Sequence, residues 1–280
     1  MALEVCVLAS GSSGNATYVS SGKARLLIDC GLAAKEVVNR LAGIGVDPRK
    51  LDGILLSHAH TDHFTSAGTM HARFGVPVFA LPETEAAARA KPWAGSFHRV
   101  KECRDIPVSL GDISIETFPV PHGDPDAGKP VGFMLESGGK KVGHVTDCGE
   151  MTALGLKLLH DADALVLEAN YHPQVIKKKL KDPKFARDWH YLKWVESPRG
   201  HLSNTQCAEV LRNVLTDRTK AVFPAHVSEN HKDPSRDNND FGTLSSVLMM
   251  ALLEAGFKPR VVRTYRRDRT EGKASELVVL

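Results

Sequence analysis

Six residues, His58-Ala59-His60-Thr61-Asp62-His63, carry four metal-ligand side chains. They follow the apolar run Ile54-Leu55-Leu56, which predicts a buried strand ending in Ser57. A strand end that turns through small residues can aim His58 and His60 at one point. Asp62 and His63, on the next turn, can point at a second point nearby. Imidazole nitrogen and carboxylate oxygen suit zinc, manganese or iron. No thiolate belongs to the set and no Cys-x-x-Cys pair occurs, which argues against a structural zinc site. The alternative reading is a His-rich surface loop, but four such groups in six residues are too dense for a solvated face or a core.

Three more candidates stand just after predicted strands. His122 follows residues 113–120, Asp147 follows 141–145, and His226 follows 220–224. Alone, each histidine reads as an ordinary loop residue and Asp147 as a turn residue. Their repetition at strand ends, where such sheets place their chemistry, turns them into one candidate set. Asp29, closing the strand 24–28, reads equally as a partner that orients a ligand or as the end of its strand. Glu168 ends the strand 164–168, and His201 precedes a helix over 204–215 capped by Ser203 or Asn204. A glutamate there can orient a histidine from a helix start, which can then protonate a departing oxygen. The blander reading makes Glu168 a surface residue and His201 a residue that only precedes a cap.

The elements that must hold these groups are legible in outline. Strands are predicted over 4–9, 16–20, 24–28, 77–80, 113–120, 131–137, 141–145, 164–168 and 220–224. Helices are predicted over 33–41, 67–74, 83–90, 154–159, 204–215 and 244–255. Residues 261–265 and 277–280 are candidate closing strands. Hairpins mixed with βα units do not fit one doubly wound parallel sheet. They fit an α/β architecture of two mixed β-sheets packed face to face with helices outside. No linker interrupts the chain, so residues 1–280 read as a single domain.

Composition narrows the class. A net charge of +3 implies no global polyelectrolyte binding. No apolar run approaches the roughly 20 residues of a membrane span, so no membrane partner is expected. The N-terminus lacks a basic region before its first strand pattern, unlike a signal peptide. Five widely spaced cysteines, Cys6, Cys30, Cys103, Cys148 and Cys207, read as reduced thiols in a cytoplasmic protein.

His-x-His-x-Asp-His after an apolar strand resembles the signature of the metallo-β-lactamase fold superfamily. The resemblance implies an αββα sandwich. It also implies two divalent metal ions (Zn, Mn or Fe), with His58, His60 and His122 on one, Asp62, His63 and His226 on the other, and Asp147 bridging. Asp62 is then a catalytic as well as a metal residue. Leu167-Glu168-Ala169-Asn170 and Gly200-His201-Leu202-Ser203-Asn204 look like the Glu and His motifs of the nuclease branch, as in RNase Z. With the opening Gly11-Ser12-Ser13-Gly14-Asn15 and His226-Val227-Ser228-Glu229-Asn230, the chain is most similar to the WalJ/YycJ group. That similarity implies metal-dependent 5′→3′ exonuclease activity on DNA. Residues 174–198 differ from the insert of that group.

Those residues hold the strongest local charge. Residues 171–199 carry eight Lys or Arg against three acids, interleaved with Trp189, Tyr191 and Trp194. Such a run can bind phosphates and stack on unpaired bases, or can be a solvated helix face. Lys177 and Lys178 are candidate substrate contacts. So are Ser12, Ser13 and Asn15, whose turn can offer backbone N–H groups to a terminal phosphate or be only a tight turn. The rival enzyme is a small-substrate metallohydrolase, either a cyclic phosphodiesterase or a thioester hydrolase. The rival from another class is a non-catalytic nucleic-acid-binding module. Oligomeric state leaves no trace in the sequence.

Overall fold

Strand β1 (Glu4–Ala9) sends Val5 and Val7 into one buried layer and Cys6 and Leu8 into another. Strand β10 (Ala164–Glu168) does the same, with Ala164 and Val166 on one side and Leu165 and Leu167 on the other. Strands apolar on both faces need cover on both faces. The structure, a computed structural model, describes residues 2–91, 97–98, 100, 103–228, 248–250, 252–254, 256–257, 260–264 and 274–280.

Two sheets supply that cover for each other. Beside β1, the first contains β2 (Ala16–Ser20), β3 (Arg25–Ile28), β4 (Gly53–Leu55), β5 (Val78–Phe79) and β13 (Val278–Val279), in the order β13-β1-β2-β3-β4-β5. The pairs β3·β4 and β4·β5 are parallel and the rest antiparallel. The second sheet adds β6 (Ser109–Leu110), β7 (Ile113–Pro119), β8 (Val131–Ser137), β9 (Lys140–Val145), β11 (Ala221–Ala225) and β12 (Arg260–Val261) to β10. Its order is β12-β11-β10-β9-β8-β7-β6, parallel from β9 to β12 and antiparallel beyond.

The layer between the sheets includes Val5, Leu26, Leu55, Phe133, Val166 and Phe223. Helices α1 (Ala34–Gly43) and α3 (Ala67–Phe74) cover the outside of the first sheet through Val37, Leu41 and Met70. Helices α5 (Ala153–Leu159) and α8 (Asn204–Val214) cover the second through Leu159, Cys207 and Leu211. Each fully buried aliphatic side chain contributes about 1.5–3 kcal/mol to holding these layers together. The result is the two-sheet sandwich flanked by helices that the sequence predicts.

Several boundaries move. The strand expected at 54–56 is β4, which stops at Leu55, although the Leu56 N–H still donates to Phe79 O at 2.9 Å. The chain turns where Asp29 captures the Ser57 N–H at 2.8 Å. Helices α2 (Thr61–Phe64) and α4 (Pro82–Ala90) complete the first half. The closing strands are two-residue pieces, and the helix predicted over 244–255 lies partly outside the described residues. The basic segment is two helices, α6 (Pro173–Lys181) and α7 (Trp189–Val195), with a 3-10 stretch (Pro183–Asp188) between them. His172-Pro173 and Asp182-Pro183 make this division. Each proline fixes a helical first residue, and the residue before it is held extended and accepts the N–H two positions on.

Candidate metal centre

Strands β3, β4, β7, β9, β10 and β11 deliver chemistry from the same end of the two sheets. Asp29 follows β3, Ser57 and His58 follow β4, His122 follows β7, Asp147 follows β9, Glu168 ends β10, and His226 follows β11. Ligand crevices of open α/β sheets lie at such carboxyl ends. Three of these residues, Asp29 (φ 61°), Asp147 (φ 54°) and His226 (φ 50°), have left-handed backbone. For residues other than glycine that conformation is strained, and it recurs at functional sites. Here it swings the side chain out of the strand's alternation toward the common point.

Two groups form there. His58 Nε2 lies 3.1 Å and His122 Nε2 3.2 Å from His60 Nδ1. The far nitrogens are already engaged: His60 Nε2 by Asp124 Oδ2 at 2.9 Å, His122 Nδ1 by Gly200 O at 3.1 Å, and His58 Nδ1 by Ser57 Oγ at 3.0 Å. Ser57 Oγ itself donates to Asp29 Oδ2, so it accepts from His58. With hydrogens on the far nitrogens, three lone pairs face one another, an arrangement that repels unless a cation is bound by all three. In the second group, His226 Nε2 lies 3.3 Å from Asp62 Oδ2 and His63 Nε2 3.5 Å from the same oxygen. His63 Nδ1 donates to Asp29 Oδ2 at 2.8 Å, and His226 Nδ1 to Glu168 Oε1 at 3.0 Å.

Asp147 joins the two groups. Its Oδ1 is 3.5 Å from His226 Nε2 and 3.9 Å from His122 Nε2. Its Oδ2 is 3.0 Å from His63 Nε2, yet that ring nitrogen is not aimed along a hydrogen bond, and Oδ2 is buried without a partner. An orphaned carboxylate oxygen among converging imidazoles fits a divalent cation.

The electrostatics agree. Burial pushes the pKa of His58 well below its usual value and that of His122 down to about 4, so both are neutral donors. Burial opposes charge on His63 and His226 as well, but the surrounding carboxylates prevail. Asp29, Asp147 and Asp62 raise His63 well above its usual value; Asp147 with Asp62 and Glu168 raises His226 to about 10. The cluster thus demands positive charge, met by protons on those two rings or by a metal that displaces them. Cys148 is no competitor. Its Sγ donates to Glu150 O at 3.2 Å, and burial pushes its thiol pKa well up.

Glu168 is fully buried and reaches both sides of the site. Oε1 accepts from His201 Nδ1 at 2.8 Å and from His226 Nδ1, while Oε2 accepts the N–H groups of Cys148 at 2.6 Å and Leu202 at 3.1 Å. Burial would raise its pKa, but His201 and His226 hold it below the usual range, so it stays ionised. His201 stands in the loop before α8, whose capping box joins Ser203 and Gln206. Its N–H donates to Val195 O at 3.0 Å.

A cavity of about 540 Å³ opens onto the cluster, lined by Ser12, His60, Asp62, His122, Gly123, Asp124, Pro125, Asp147, Tyr191, Trp194, His201 and His226. Asn15 is buried behind it, its carboxamide 3.2 Å from Asp62 Oδ2 and 3.0 Å from His63 Nε2, so it braces the ligands where the sequence suggested a substrate contact. Ser13 is partly buried outside the lining. Lys177 and Lys178 are exposed on α6, also outside it, and Lys179 is buried with its Nζ over the Phe185 ring. From sequence, Asp124, Ser57 and Asn170 had no role beyond their place in a turn, a strand end and a motif, and the packing of Trp194 against the histidines was not foreseen. Asp124, two residues after His122, carried the one available signal. Asn170 Nδ2 donates to His226 O at 2.8 Å.

Gly31 sets the register of the loop. A Cβ there would lie 1.6 Å from Asp62 O and 2.7 Å from His63 N. Gly31→Ala should therefore push the Asp62–His63 turn away and cost about 1–3 kcal/mol, as overpacking does. Thermal unfolding and metal content would both fall; a variant with wild-type values for both would show that the turn yields freely.

The family model described as a Beta-lactamase superfamily domain matches residues 24–226, and the chain belongs to that family. Among curated relatives, exodeoxyribonuclease WalJ of Streptococcus pneumoniae is 32% identical over 229 residues, covering 80% of this chain and 81% of the relative. Exodeoxyribonuclease YycJ of Bacillus anthracis is 28% identical over 250 residues, covering 84% and 87%. Among solved structures, the metallo-β-lactamase fold protein YhfI from Bacillus subtilis matches with a TM-score of 0.68 at 17% identity, covering 100% of this chain and 99% of the other.

Proposed function

We propose that the chain is a metal-dependent phosphodiester hydrolase that degrades DNA from an end, in the 5′→3′ direction, as a single domain. The observation that carries this reading is the meeting of two ligand groups on Asp147 beside the Glu168–His201 pair, 2.8 Å apart. The similarity to two exodeoxyribonucleases supports DNA as the substrate. All five cysteines are free, which suits a cytoplasmic setting, and no helix among the described residues is long and apolar enough to cross a membrane.

His58, His60 and His122 would hold one ion and Asp62, His63 and His226 a second, with Asp147 shared. Nitrogen and oxygen donors suit zinc, manganese or iron. Two ions held together supply Lewis-acid stabilisation of phosphate oxygens and an activated water at neutral pH. The protein's own groups do the rest. Asp29, Asp124, Ser57 and Glu168 fix the ring orientation of the ligands. Glu168 holds His201 through Nδ1–H, which leaves Nε2, on the pocket side, to carry a proton to the departing oxygen. Ser12, exposed in the lining, meets the terminal phosphate.

Labelled DNA, labelled RNA and bis-p-nitrophenyl phosphate, each offered with Mn and with Zn, test the reading. Stepwise shortening of DNA is the expected result. Hydrolysis of small diesters or thioesters with DNA untouched would overturn it.

Exposed Lys177, Lys178 and Lys181 on α6 extend the contact beyond the pocket. Changing all three to Gln should weaken DNA binding and flatten its log–log salt dependence by roughly 2, at about 0.7 per single-strand phosphate contact. Titrations at several salt concentrations that match wild type would reduce the run to a solvated face.

A further inference from the structure

The loop before His201 is pressed onto two glycines at the edge of the cluster. A Cβ on Gly149 would lie 2.4 Å from Pro198 O and 2.6 Å from Arg199 N. A Cβ on Gly123 would lie 2.6 Å from Arg199 Cδ, 2.7 Å from its Cβ and 3.1 Å from its Cγ. Hydrogen bonds hold the same loop. The Gly123 N–H donates to Arg199 O at 2.8 Å, His122 Nδ1 to Gly200 O at 3.1 Å, and the Arg199 N–H to Ser197 Oγ at 3.3 Å. The whole aliphatic stem of Arg199 is thus laid along Gly123, a lining residue of the pocket and the neighbour of His122 in the chain. Arg199 itself is exposed and stands just outside that lining. Among the described residues, no acid pairs with its guanidinium. Of the acids near it or Gly123 in the chain, Glu196 is bound by Lys193 at 2.6 Å and Asp124 by His60 at 2.9 Å.

On the nuclease reading above, we propose that Arg199 binds the phosphate next to the scissile one, so that the site favours a strand of at least two phosphates over a lone diester. The scissile phosphate belongs at the cluster. A cation just outside the pocket lining meets the strand one step further along. A guanidinium presents a planar fork of donors that fits two oxygens of one phosphate. An arginine on a free stem must be ordered by its ligand, whereas packing on Gly123 has already ordered three carbons of this one. A phosphate contact fixes register and reads no base, as suits an enzyme that shortens a strand of any sequence.

The test compares two end-labelled, single-stranded DNA oligonucleotides of one sequence. They differ only at the second linkage from the end that wild type degrades, a phosphate in one and an uncharged methylphosphonate in the other. The first cut, which releases the labelled terminal nucleotide, is measured. Wild type should show a KM roughly ten- to a hundredfold higher for the methylphosphonate strand, the scale of a hydrogen bond to a charged group. In Arg199→Gln this ratio should fall toward one because KM for the all-phosphate strand rises, while Arg199→Lys, which keeps the charge, should retain part of it. Wild type that cuts both strands with one KM, or Arg199→Gln that keeps the full ratio, overturns the phosphate contact. Wild type that cuts neither oligonucleotide with Mn or Zn overturns the nuclease reading, and the contact falls with it.

Discussion

Asp147→Ala should lose at least one of the roughly two metal ions expected per chain in a site of this kind. Asp147 belongs to two of the three groups of side chains close enough to hold an ion, and it is 2% exposed at the meeting point of His63, His122 and His226. Its left-handed backbone aims this carboxylate at that point. Removing a mere partner of a ligand costs about 10–100-fold in metal affinity, so removing the shared ligand should cost more. Turnover of DNA should fall with occupancy. Asp147→Asn keeps the shape without the charge and should fail in the same way. Circular dichroism and thermal unfolding would separate metal loss from misfolding. Elemental analysis showing full occupancy in folded Asp147→Ala would remove Asp147 from the ligand set.

The residues that the structure brings together were legible as candidates because each rare residue type interrupts an apolar strand pattern at its end, as His122 does after Ile113–Pro119. The two-sheet fold was legible because β1 and β10 are apolar on both faces and the chain mixes hairpins with crossovers. Backbone conformation was not. Nothing in the residue types Asp and His announces the positive φ of Asp147 and His226. Long-range partnerships were also hidden. Trp194 reaches His122 only because α7 folds back over the loop that carries His201. Asp29 stood open between two readings, and its three bonds to Ser57 and His63 show an orienting carboxylate. The break between α6 and α7 was written in Asp182-Pro183, a turn signal set inside a run of charged residues.

His201→Ala should cut the rate on DNA by about 10²–10⁴-fold, the usual contribution of a positioned proton donor. A phosphodiester of DNA releases an alkoxide, which leaves poorly without a proton. The p-nitrophenolate of bis-p-nitrophenyl phosphate leaves without one, so the loss should shrink on that substrate. Metal content should stay at the wild-type level, because the His201 Nδ1 is committed to Glu168 at 2.8 Å. Glu168→Gln is a different experiment. Glu168 Oε1 accepts from both His201 and His226, so an amide there disturbs a proton donor and a ligand together. It should lower metal content as well as rate, and its deficit should persist on the activated diester. The two variants therefore separate the roles of one buried carboxylate. If His201→Ala loses metal, the imidazole is a ligand, as its closeness to Asp147, Glu168 and His226 allows. If it loses rate equally on both diesters, the residue serves phosphate charge and not the leaving oxygen.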